Sequence, residues 1–115
     1  MYSRFLAALL CWASLGCASL ASAQTTGIDV AQSNNCLACH QVDRKRVGPA
    51  FNLIAQRFAN QDGAVEYLAQ TIRQGGRGRW GAVPMPAQPQ VSPANAKIIG
   101  AWILSLADKD LPAAK

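Results

Sequence analysis

The chain has 115 residues and one charge balance throughout, which bounds it to one small domain. Eleven Lys and Arg against six Asp and Glu give a net charge of +5 at pH 7. A balance that mild argues against nucleic acid as a partner.

Residues 1–23 read as a cleavable export signal. Arg4 supplies a minimal positive region, Phe5 to Leu15 is almost wholly apolar, and Ala21-Ser22-Ala23 offers the small-residue site after which a signal peptidase cuts. The apolar stretch is too short for a membrane span of about 20 residues. A permanent anchor is the weaker reading, and a lipid-modified Cys17 weaker still, because Ser14 stands where such signals carry leucine. Cleavage after Ala23 leaves a domain of residues 24–115 with no stable membrane span. It removes Cys11 and Cys17, so Cys36 and Cys39 are the cysteines left in the exported domain. In an oxidising compartment an idle dithiol tends to close.

Ile28 to Asn35 reads as a short helix, with Thr25 and Thr26 as candidate caps. Asp43 to Pro49 is a polar Gly-Pro loop, after which Phe51, Ile54, Ala55 and Phe58 fall on one helical face. Asp62-Gly63 marks a turn. Ala64 to Gln74 follows as a helix with Val65, Leu68, Ala69 and Ile72 as its stripe. Gly75 to Pro93 is too rich in glycine and proline for a regular element. A long loop of this kind is usually functional. The last helix opens with Ser92 as N-cap and Pro93 at its first position, and presents Ile98, Ile99, Trp102, Ile103 and Leu106. The pattern is all-α, without repeats or a hairpin signal. So few short helices make a thin core, and something large and apolar is expected to fill the middle.

The chemistry concentrates in Cys36-Leu37-Ala38-Cys39-His40, which holds the chain's single histidine. A structural zinc site needs four ligands, and no second cysteine pair exists after cleavage. A thioredoxin-like dithiol expects a βαβ context, and a plain disulfide leaves His40 unexplained. Covalent haem accounts for all three residues: Cys-x-x-Cys-His is the c-type attachment signature, in which two thiols bond the porphyrin and the histidine meets the iron. Haem would also supply the missing core. For the sixth ligand, Met1 leaves with the signal and only Met85 remains, stiffened between Pro84 and Pro86. A gap-filling core methionine fits that setting poorly. His40 and Met85 as metal ligands would close both axial positions, which suits electron transfer over catalysis.

With those residues in view, the chain resembles the short bacterial class I cytochromes c, small soluble electron carriers of the periplasm. The resemblance runs from about Ile28 to Leu106 and rests on the Cys36–His40 motif, Val47-Gly48-Pro49, Trp80 to Pro86 and Trp102 to Leu106, in order. It implies three to five short helices around one haem, bound through Cys36 and Cys39. It implies that His40 bonds the carbonyl of Pro49, and that Trp80 donates to a haem propionate. Arg57 and Arg79 are candidate propionate neighbours, with solvated surface charge as the alternative. Two departures stand out. Gln88 occupies a place where the family often has an asparagine bonded to the methionine sulfur. Ala31 replaces a common aromatic, so looser packing against Trp102 is expected.

The expected function is a monomeric carrier of single electrons between redox proteins, not an enzyme. The alternative is a haem protein with an open or displaceable sixth position, such as a gas sensor or a small peroxidase. Two basic runs, Arg44-Lys45-Arg46 and Arg73, Arg77, Arg79, could steer an acidic partner. An ordinary solvated face is the competing reading.

Overall fold

The computed structural model describes residues 25–108. The expected export signal lies outside them. Among the described residues the fold is all-α: α1 (Gly27–Ser33), α2 (Phe51–Phe58), α3 (Ala64–Gln74) and α4 (Pro93–Ser105), with 3-10 turns at Cys36–Ala38 and Leu106–Asp108.

Thr26 caps α1 in a reciprocal box. Its hydroxyl accepts the Asp29 N–H at 3.4 Å, while the Asp29 carboxylate accepts the Thr26 N–H at 3.0 Å. The Thr26 hydroxyl also donates to that carboxylate at 2.6 Å, and these bonds hold the Asp29 carboxyl below its ordinary value of 3.8. The helix stops short of the expected Asn35. Asn34 Nδ2 donates back to the Val30 carbonyl at 2.8 Å, and Asn35 turns left-handed at φ 60°. At the far end, Ser92 Oγ accepts the Asn95 N–H at 3.1 Å and Pro93 opens α4, as its sequence predicts.

Helix α4 packs against α1, α2 and α3, so it is the hub of the core. Ile99 is 1% exposed, and burying a side chain of that size stabilises by about 1.5–3 kcal/mol. Ile98 is 44% exposed, however, so the buried face of α4 is narrower than its composition suggests. Gly100 lets α3 come close: a Cβ there would lie 3.2 Å from the Val65 carbonyl oxygen. The α1–α4 contact is tight, not loose, at one point. Trp102 Cβ and Cγ lie where any side chain at Gly27 would have to go. Gly27, not position 31, thus gives Trp102 its seat on α1. Phe51, at the start of α2, meets Trp102 edge-on at 5.2 Å and 74°, which ties the segment before α2 to the core.

Candidate functional site

Helix α1 delivers the chain into the 3-10 turn Cys36–Ala38. One carbonyl, that of Cys36, accepts both the Cys39 N–H at 3.3 Å and the His40 N–H at 3.0 Å. The turn is thereby wound tightly enough to present Cys36, Cys39 and His40 together. Both thiols are free, with Cys36 half-buried and Cys39 exposed. Burial pushes the Cys36 thiol above its ordinary value. The thioredoxin-like reading lacks its context, since among the described residues the elements are helices and no βαβ unit forms. Nor is zinc favoured: among the described residues no group of three or more His, Cys, Asp or Glu side chains is placed to hold a metal ion.

The loop after His40 folds back onto the same turn. The Cys39 carbonyl accepts the N–H groups of Val47 at 3.1 Å and Gly48 at 2.7 Å. That return lays Gly48-Pro49 against the imidazole, where His40 Nδ1 and the Pro49 carbonyl oxygen are 2.8 Å apart. A carbonyl only accepts, so Nδ1 carries the proton and Nε2 keeps its lone pair. Burial lowers the His40 pKa below 6.5, against the raising effect of the Pro49 bond. The ring is neutral, the form that binds metals. Gly48 makes this possible, because a Cβ there would fall 2.5 Å from His40 Cε1 and 2.8 Å from Nδ1. Phe51 stacks on the imidazole at 4.9 Å and 17°. The sequence reading missed both supports, although the Gly-Pro step and the aromatic two residues on were visible signals.

Met85 is half-buried against the core. It sits in the Gly/Pro loop but not in unpaired backbone. Gly76 N–H donates to the Met85 carbonyl at 3.0 Å, and Met85 N–H to the Gly76 carbonyl at 2.8 Å. This two-bond bridge had no hairpin signature in the sequence. Gly75 allows it: φ is +79°, and a Cβ would lie 2.7 Å from the Met85 carbonyl oxygen. Gln88 turns its amide elsewhere. Its Nε2 donates to the Pro86 carbonyl at 3.1 Å and its Oε1 accepts from Gln90 at 2.8 Å.

Trp80 is 37% exposed and lies under the Arg57 guanidinium, 4.6 Å from the ring centre. Arg57 Nη1 donates to the Arg79 carbonyl at 2.8 Å, and the Arg79 guanidinium lies 4.7 Å over Tyr67. Of the basic runs, Arg73 is spent inward, its Nε donating to the Val91 carbonyl at 3.1 Å. Arg44 meets Asp43 at 3.5 Å with both side chains exposed, a pair worth little.

This donor set fits a haem. Two free thiols share a turn with a neutral imidazole whose Nε2 is left over, and a thioether is held on a fixed loop. Large apolar side chains also stand uncovered on the two loops that carry His40 and Met85. Val47 is 53% exposed and Val83 64%, which is what an apolar plate between those loops would shield.

A family model described as cytochrome c matches residues 25–107. The chain is 51% identical over 78 residues to cytochrome c-552 of Nitrosomonas europaea, covering 68% of this chain and 76% of that protein. It is 40% identical over 82 residues to cytochrome c-551 of Pseudomonas denitrificans, covering 71% and 99%. The crystal structure of wild-type Nitrosomonas europaea cytochrome c552 superposes with a TM-score of 0.68, covering 69% of this chain and 98% of that one.

Proposed function

Because the chain belongs to the cytochrome c family, we propose that it carries single electrons between periplasmic redox proteins through an iron held by His40 and Met85. Membership makes it a monohaem electron carrier, not an enzyme, with haem c attached covalently through Cys36 and Cys39. When bound, that group supplies one-electron chemistry at iron.

The rest is the work of the chain. The Cys36–Ala38 turn would hold the attachment thiols. Pro49 keeps the proton on His40 Nδ1, which orients the ring and raises the basicity of Nε2. Gly76 and Gly75 fix the backbone of Met85, whose thioether would be the second protein ligand of the iron. Trp80 and Arg57 would meet the propionates through indole N–H and guanidinium donors. The single observation that carries the reading is the 2.8 Å bond between His40 and Pro49, which leaves Nε2 as the free ligand atom.

Export through residues 1–23 and maturation to a monomer of residues 24–115 belong to the same proposal. So does steering by the exposed part of the basic runs, Arg44, Lys45, Arg46, Arg77 and Arg79. Among the described residues no helix is long and apolar enough to cross a membrane.

Carbon monoxide added to the reduced protein at neutral pH tests the ligand set. An unchanged spectrum supports Met85 on the iron, and rapid binding replaces this reading with the open-site alternative. For steering, the rate of electron transfer to an acidic redox protein should fall as salt is raised; a flat profile removes it.

A further inference from the structure

We propose that Arg57 is a positioning residue, the latch that holds the Met85 loop in its ligating conformation. The inference rests on the proposed ligation by Met85.

Residues 77–84 leave the body of the protein between the paired residues Gly76 and Met85, and all of them are exposed. Glycines with positive φ at 78 and 81 give this stretch wide backbone freedom in the unfolded chain, which ordering it must offset. Among the described residues, the one hydrogen bond that reaches it from outside comes from Arg57. The guanidinium grips two successive residues at once: Nη1–H meets the Arg79 carbonyl at 2.8 Å while the flat face covers Trp80 at 4.6 Å. A lysine cannot donate in its plane and stack on a ring together.

The loop returns the grip. The Arg79 guanidinium lies over Tyr67 at 4.7 Å and over Phe58 at 5.7 Å. Helices α2 and α3 thus give the loop a cation and two rings, and the loop gives back a ring and a cation. Phe58 and Tyr67 pack on each other at 5.2 Å, so the receiving surface is itself ordered. Among the described residues no carboxylate takes part in these contacts. The latch closes on the segment five residues before Met85, and loosening it lets the methionine leave the iron more often.

Native-state amide exchange of the haem-loaded protein reads this directly. In R57Q, protection at the Gly76 and Met85 N–H groups should fall about five- to tenfold, the loss of one stacked cation and one hydrogen bond. Protection at Ile103 in α4 should not change. R57K should recover only part of the loss. Substituting Trp80→Leu should match R57Q, and the double variant should add little further. Equal protection in R57Q and the parent, or full recovery in R57K, overturns the latch.

A second readout is the pH at which the sulfur-to-iron charge-transfer band disappears on alkaline titration, which should drop by roughly 0.5–1 unit in R57Q for the same fold-change. A parent protein without that band sinks ligation by Met85, whereas the exchange result still decides the latch.

Discussion

His40 Nδ1 donates to the carbonyl oxygen of Pro49 at 2.8 Å, across nine positions of sequence. The bond exists because Cys39 accepts two amides from the returning loop and because Gly48 has no side chain to push the ring away.

Gly48→Ala should therefore act on the iron by way of the His40 ring, since its Cβ would press on both the Cε1 edge and Nε2. Its Cβ would meet His40 Cε1 at 2.5 Å, so the ring tilts and the Pro49 bond stretches. A less basic imidazole favours the ferrous state, and the reduction potential should rise by roughly 30–60 mV, up to about tenfold in a one-electron equilibrium. A redox titration measures it, and an unchanged or lower potential counts against the role given to Pro49.

Two glycines with positive φ separate backbone strain from crowding. At Gly63, φ is +72° and a Cβ meets nothing within 4 Å, so Gly63→Ala should cost only about 1 kcal/mol. At Gly75 the Cβ would also lie 2.7 Å from the Met85 carbonyl oxygen and 2.8 Å from Ala87 N. Gly75→Ala should cost on the order of 2–4 kcal/mol and weaken the sulfur–iron band. Denaturant unfolding of the pair checks the difference; equal costs would mean that the Gly76–Met85 bridge yields easily.

Asp29 should give the fold an acid-sensitive end. Its carboxyl titrates below 3.8 when folded because Thr26 bonds the charged form. The folded protein thus binds fewer protons there than the unfolded chain does. The contribution is present above the ordinary value and lost as the pH falls through the folded one. Asp29→Asn should lower the melting temperature near neutral pH, and the gap to the parent should close between about pH 5 and pH 2. A gap independent of pH would show that the carboxylate charge does not matter.

Asn52 is 0% exposed, and neither side-chain amide atom has a hydrogen-bond partner. A buried amide without partners costs stability. Asn52→Leu should raise the unfolding free energy by about 1 kcal/mol, while Asn52→Asp should lower it by more than about 2 kcal/mol, because a carboxylate would be buried without a counter-charge. A leucine variant less stable than the parent would show that the amide is satisfied in solution.

Much of this was legible before any coordinates. The period of the apolar residues located α2 and α3, and Ser92-Pro93 located the start of α4, because those signals are local. The Cys36–His40 spacing is local as well, so it pointed to haem directly. The pairing of Met85 with Gly76 was not legible, since it spans nine positions and carries no turn signature. Nor was the commitment of Arg73 to Val91 or of Arg57 to Trp80, because a charge in sequence looks the same whether solvated or stacked.

The sequence by itself therefore determined the chemistry: two thiols and an imidazole within five positions, and one methionine stiffened by prolines. The tertiary structure alone decided how those groups are held. Gly48 against a ring, Gly75 against a carbonyl and Trp102 against Gly27 are close approaches between distant segments. A missing side chain acquires meaning only when another part of the chain arrives to use the space.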